Sequence, residues 1–135
     1  MEEAIGTRPL VASTVSSTVV LLVLSGKVDT PERISELDLD IKKAHLLICD
    51  LCTKAHSPID ILFDLHAFSG IYSPLAIESL AHLAKEDEQY VRKTACFGAS
   101  ETIRLAGDII AVIAGRGNIH FFKDEEEARA WLTEK

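Results

Sequence analysis

The sequence predicts an α/β fold built on a mixed, mostly parallel sheet of about five strands with about four helices. The 135 residues, of which 47% are hydrophobic, match the size of a single domain with one core, here expected to span residues 1–135. Over the last three quarters of the chain, short apolar runs alternate with segments of helical periodicity. That alternation is typical of parallel strands joined by helical crossovers.

The first elements form a predicted hairpin. An edge strand is expected at Leu10–Thr14 and a buried strand at Thr18–Leu24, where Ser25 and Gly26 end the apolar run. Residues 1–8 precede this hairpin and are expected to be a flexible N-terminus.

The first predicted helix begins at Thr30, a capping residue that is followed by Pro31 at the first helical position. The helix is expected to run to about His56. Its apolar positions recur at steps of three and four residues, which predicts one buried stripe. They are Leu37, Ile41, Ala44, Ile48, Leu51 and Ala55.

A second helix is expected to begin by the same device at Ser73 and Pro74, after a central strand at Ile59–Leu65. A third strand is predicted at Lys93–Phe97, where Gly98 ends it. The positions of the second helix that fit a helical period are Leu75, Ile77, Leu80, Ala81 and Ala84.

The last two helices are predicted from their ends. Ser100 is expected to cap a helix that stops at about Ala114, just before two closely spaced glycines. After a strand at Asn118–Phe122, Asp124 and Glu127 form a start that resembles a capping box. The buried side of this final helix is expected to carry Ala128, Trp131 and Leu132.

The composition excludes some classes of function. The net charge of −7 argues against a nucleic-acid partner, which would require clustered lysine and arginine. The densest basic pairs, Lys42 with Lys43 and Arg92 with Lys93, are interpreted as solvated surface. The first residues are acidic where an export signal would be basic, so a cytoplasmic location is expected. The three cysteines are then expected to be thiols.

Three segments together carry a family resemblance: residues 25–30, the strand end at Asp64–Gly70, and the ending at Phe121–Leu132 with its Ala-x-x-Trp-Leu helix. In order and spacing they resemble the SpoIIAA-like branch of the STAS superfamily, the sulfate-transporter and anti-sigma-factor-antagonist domains. The resemblance covers residues 10–134. It implies a curved mixed sheet packed on helices and a role in binding a protein partner or an apolar ligand, without chemistry of its own.

The resemblance also points to one serine. In the members of this family that phosphorylation controls, the regulated serine begins the helix after the third strand, within an Asp-Ser-Ser-Gly-like turn. The matching place here is Tyr72-Ser73-Pro74, which keeps one serine but lacks the acid, the second serine and the glycine. Ser73 is therefore a phosphorylation candidate, since a phosphate at a helix N-terminus meets free N–H groups. The alternative is a structural N-cap.

The carboxyl ends of parallel strands are the usual ligand locus of open α/β sheets. Four residues near these ends are candidates to line a crevice for a ligand or partner: His66, Ser69, Tyr72 and Ser100. The alternative is that they are caps and turn formers. Although Asp64, His66 and Ser69 are the residue types of a hydrolytic triad, the Gly-x-Ser-x-Gly pattern is absent, so no catalytic residue is predicted.

His45, Cys49, Cys52 and His56 share one face of the first helix, and all four are metal-ligand types. The span from His45 to His56 is about 16 Å, too long for one ion, so no metal site is predicted. A half-site of Cys49 and Cys52 completed by another chain remains open. A Cys-x-x-Cys redox centre is disfavoured because these cysteines lie in mid-helix, away from the N-terminus that activates thiols.

The sequence therefore favours a non-enzymatic regulatory or protein-interaction module with a protein partner and no cofactor. The uncharged run at Ile109–Ala114 is more apolar than one buried stripe requires. Burial, a homodimer contact and lipid contact remain open for it. The alternative function is a small-molecule or lipid carrier with an apolar pocket near this third helix.

Overall fold

The strands of the sheet lie side by side in chain order in the computed structural model, which describes residues 8–68, 74–115 and 117–134. β1 (Leu10–Ser16) and β2 (Val19–Leu24) form an antiparallel hairpin. Parallel pairing then joins β2 to the remaining strands in turn: β3 (Ile59–Asp64), β4 (Val91–Phe97) and β5 (Ile119–Phe122). The predicted mixed, mostly parallel sheet is confirmed.

Four helices join or follow the strands: α1 (Pro31–Ala55), α2 (Pro74–Glu86), α3 (Glu101–Ala114) and α4 (Glu125–Leu132). Three of the predicted N-caps are confirmed, because Thr30, Ser100 and Asp124 each accept a hydrogen bond from the backbone N–H three residues on. At their other ends, α1 and α3 stop at His56 and Gly115 in the left-handed conformation.

The sheet carries a thick core on one face and a thin one on the other. Buried residues of α1, α2 and α3 pack with Val20, Leu22 and Ile61 on the first face. The next residue, Leu62, points the opposite way because side chains alternate along a strand. It belongs to a smaller cluster that α4 covers, with Ala95, Phe97, Ala128 and Leu132.

The basic pair Arg92 and Lys93 lies at the surface as expected, with Arg92 41% exposed, but both side chains also fasten α4 to the sheet. Arg92 holds the buried carboxylate of Asp60 with two hydrogen bonds of 2.8 and 2.9 Å and donates to the Leu132 carbonyl. Lys93 donates to the Trp131 carbonyl, and its ammonium lies 4.6 Å from the centre of the Trp131 ring. β4 begins at Val91, two residues before the predicted start, so both basic residues belong to the strand.

Two further details differ from expectation. Leu75 was predicted to lie on the apolar side of α2, but it is exposed, and Ala76 and Leu83 are buried in its helix instead. At the N-terminus, Arg8 is the described member of the segment expected to be flexible. Its guanidinium binds the buried Asp40 carboxylate at 2.8 Å.

Candidate functional site

The loops at the carboxyl ends of β2, β3 and β4 meet in one compact surface. We call it the strand-end surface and define it as Gly26, Asp64–Phe68 and Gly98–Ser100. The segment after β3 is tied to both neighbours: the Leu65 N–H donates to the Phe97 carbonyl at 2.9 Å, and the Gly26 N–H donates to the Ala67 carbonyl at 3.0 Å. Leu65 and Phe68 are buried and anchor the segment from below.

Gly98 allows this close approach. Its φ is +81°, a left-handed conformation that favours glycine, and an added Cβ would lie 2.7 Å from the Cβ of His66. The loops after β3 and β4 are therefore in direct backbone contact. The strand-end surface is firmly built on its described residues, and it presents the side chain of His66, which is 68% exposed.

The exposed His66 is oriented by its neighbour Asp64. The Asp64 carboxylate lies 2.6 Å from His66 Nδ1 and also accepts the His66 backbone N–H at 3.0 Å. The contact with Asp64 uses Nδ1 and leaves the other ring nitrogen, Nε2, as the polar atom that the exposed ring can offer. This arrangement presents one polar group to a partner.

The predicted candidates have different outcomes. His66 and Ser100 lie on the strand-end surface, and the Ser100 hydroxyl accepts a hydrogen bond from the Ile103 N–H at 3.3 Å. That bond is the capping role weighed above, and any ligand contact of Ser100 stays a prediction. Ser69, Tyr72 and the phosphorylation candidate Ser73 lie outside the described residues.

The order of the strands argues against the predicted crevice. Crevices at strand ends form where the order of strands reverses. Here the order β1-β2-β3-β4-β5 runs without a reversal over the described residues. The closely packed loops accordingly present a surface suited to a broad contact.

The helix that follows this surface carries an exposed apolar strip. Leu105, Ile109 and Val112 of α3 are 59%, 52% and 80% exposed. Steps of four and three residues place them on one side of the helix. The sequence indicated an excess of apolar residues in α3, but it did not indicate which of them stay exposed.

An apolar cavity lies beneath α3, between that helix, α2 and the sheet. Its volume is about 70 Å³, and its lining includes Phe63, Leu80, Ile110 and Phe121. Pockets for drug-sized ligands measure about 300–1,000 Å³. The cavity as described therefore has room for a small group but not for a lipid.

The family model for SpoIIAA-like proteins matches residues 20–133, which cover the elements from β2 to α4 except for Val19, the first residue of β2. The chain belongs to the SpoIIAA-like family. No functionally curated protein matches the sequence. Within the described residues, no helix is both long and apolar enough to cross a membrane.

Two solved structures share the fold. An uncharacterised protein of the DUF3478 family with a SpoIIAA-like fold, from Shewanella loihica PV-4, is 19% identical, with a TM-score of 0.61 and 91% of each chain covered. The anti-sigma factor antagonist SpoIIAA in its unphosphorylated form is 14% identical, with a TM-score of 0.55. That match covers 90% of this chain and 95% of SpoIIAA. The predicted SpoIIAA-like fold is thereby confirmed.

Proposed function

We propose that this protein is a non-enzymatic regulatory module of the cytoplasm that binds a protein partner. The observation that carries the proposal is the exposed apolar strip of Leu105, Ile109 and Val112 on α3, the helix that begins at the strand-end surface. Exposed apolar patches rimmed by polar groups mark interaction sites in soluble proteins. The likeness in fold to an anti-sigma factor antagonist supports a role of this kind.

The apolar strip and the strand-end surface contribute to the proposed interface in different ways. The apolar strip supplies the area whose burial drives association, at roughly 25 cal/mol for each Å² removed from water. The oriented His66 supplies a polar contact at the rim, where such contacts contribute more to specificity than to affinity. Because the strand-end surface is firmly built, little ordering entropy is lost when a partner docks.

The proposal is tested by affinity capture from the source cells with three baits. Val112→Asp places a charge in the apolar strip, whereas Leu46→Asp changes a residue of α1 that is 68% exposed, against 80% for Val112, and serves as the matched control. We expect wild type and Leu46→Asp to recover the same partner and Val112→Asp to lose it. Identical sets of proteins on all three baits would contradict the proposal.

A second copy of the chain is one partner that this surface could accept. Sedimentation of the purified protein distinguishes this case, because a homodimer through the apolar strip would dissociate in Val112→Asp and persist in Leu46→Asp. If the protein is a monomer at all concentrations, the proposed partner is a different protein.

A carrier of apolar ligands is the second candidate function, and the cavity beneath α3 is the observation that favours it. It ranks below the interaction module because about 70 Å³ is too small for a lipid unless α3 moves. Native mass spectrometry tests it directly. A co-purified apolar molecule would support the carrier, and a bare protein mass together with no thermal shift across a lipid panel would reject it.

A further inference from the structure

A cysteine, a histidine and an aspartate form a chain of polar contacts far from the strand-end surface. Asp87 lies in the turn after α2, and its Oδ1 is 2.5 Å from His45 Nδ1 on α1. The other ring nitrogen of His45, Nε2, is 3.5 Å from the Cys49 sulfur one turn further along α1. Thiol-based sites of proteins have the same order of contacts: a cysteine as nucleophile, a histidine as base, and an acid that orients the histidine.

The surroundings fix this arrangement. Asp87 is 1% exposed, so its carboxylate is held away from water, where its effect on the imidazole is strongest. The edge of the Tyr90 ring packs against His45, with 6.0 Å between ring centres. His45 and Cys49 are only half-buried, so a small molecule can approach the sulfur.

The Cys49 thiol is not ionised at rest. Burial raises the pKa of Cys49 above its ordinary value, and the Asp87 carboxylate raises it further. The other groups that face the thiol are Tyr90, whose hydrogen bond lowers this pKa, and Cys52 and Glu86, which raise it. A reaction at Cys49 therefore requires a base to take the proton as the sulfur attacks, and His45 Nε2 is placed to do so.

A groove beside this cluster has the size and charge for a small zwitterionic molecule. It lies between α1 and α2, has a volume of about 800 Å³, and includes His45 in its wall. Its lining carries both signs of charge, with the ammonium of Lys42 facing an excess of carboxylates from Asp38, Glu78 and Glu86. Such a lining is complementary to a molecule that bears both carboxylate and ammonium groups.

We propose that Cys49 is a modification site at which a low-molecular-weight disulfide of zwitterionic character forms a mixed disulfide, with His45 as the proton carrier and Asp87 as its positioning residue. As Cys49 Sγ bonds to one sulfur of the disulfide, the thiol proton passes to His45 Nε2. The S–S bond of the small molecule breaks, and its departing thiolate takes the proton from Nε2. One thiol and one disulfide thus give one mixed disulfide and one free thiol.

This assignment explains how a cysteine in mid-helix becomes reactive. The usual aid to a thiol, a helix N-terminus, is absent at Cys49, and the proposed aid is instead the base His45, which Asp87 orients from 42 positions away along the chain. The modification would add a bulky charged group where α1 meets the turn after α2. The proposed modification is separate from the proposed partner binding and does not depend on it.

The test uses oxidised glutathione as the probe and follows each cysteine by peptide mass spectrometry. Cys52 lies three residues along the same helix, is also half-buried, and serves as the internal control. We expect Cys49 to react at least about tenfold faster than Cys52, and His45→Gln to remove most of this advantage while leaving Cys52 unchanged. Equal rates at the two cysteines, or an unchanged Cys49 rate in His45→Gln, would overturn the proposal.

The wild-type protein supplies a second measurement, which stands even if His45→Gln does not fold. An unassisted thiol well below its pKa reacts about tenfold faster for each unit of pH. Assistance by a neighbouring base weakens this dependence on pH, because the base takes the proton during attack and the thiol need not ionise beforehand. We expect the flattened profile at Cys49 and the full rise at Cys52. A full rise at both would show that His45 takes no part.

Discussion

Replacing Gly98 by alanine tests whether the strand-end surface is as closely built as described. The left-handed backbone there costs a residue with a Cβ about 1–2 kcal/mol, and the stiffer unfolded chain offsets about 0.4–1 kcal/mol of this. The new Cβ would also lie 2.7 Å from the Cβ and 2.9 Å from the backbone nitrogen of His66, and backbone cannot rotate away. Overpacking of this kind adds about 1–3 kcal/mol. We therefore expect Gly98→Ala to lower the free energy of unfolding by about 2–4 kcal/mol.

Gly115→Ala is the matched control. Gly115 has a similar φ of +71°, but nothing lies within 4 Å of its added Cβ, so it loses only the backbone contribution, about 0.5–1 kcal/mol. Urea unfolding of the two variants and wild type measures both losses on one scale. If the two substitutions cost the same, the loops after β3 and β4 are not in the close contact described, and the strand-end surface is looser than we infer.

Three further outcomes follow from other contacts. Ser100→Ala should lower stability by about 0.5–2 kcal/mol through the lost cap, whereas Thr102→Ala, exposed in the same turn, should cost much less in the same urea experiment. Arg92→Ala should cost about 1–3 kcal/mol, because it leaves the buried Asp60 carboxylate without its guanidinium partner; a loss as small as that of a surface substitution would refute this role. Burial makes the pKa of the Cys49 thiol higher in the folded protein than in the unfolded protein. The stability that this difference contributes is fully present below the pKa of the unfolded state and is lost as the pH rises through the pKa of the folded state. Unfolding midpoints should accordingly fall more steeply with alkaline pH in wild type than in Cys49→Ala.

The elements of this fold could be predicted because their signals are local. Thr30, Ser100 and Asp124 each cap a helix, and each helix begins where its cap predicted. The stripe of α1 was predicted for the same reason, since a helical period fixes which residues share a face. The prediction for Leu75 was wrong because the packing of α2 decides its position, and the prediction for Arg92 missed its ion pair with a partner 32 residues away.

The sites were harder to predict than the fold. The pairing of Asp64 with His66 spans two residues, so the sequence could suggest it. The approach of Asp87 to His45 joins two elements 42 residues apart, and no spacing in the sequence indicates it. Whether an apolar residue such as Val112 is covered or exposed is likewise settled by which helices flank α3.

The order of the strands has a consequence for how the chain acquires its structure. Every strand after the first pairs with the strand that precedes it in the sequence. A growing polypeptide can therefore add each new strand to a sheet that already exists, beginning from the β1–β2 hairpin. Each parallel pairing must first close a loop of about 25–40 residues, which makes it slower than the hairpin, and domains generally fold as they emerge during synthesis. α4, the cover of the thin core, follows β5 in the sequence and would then dock on a sheet that is already formed.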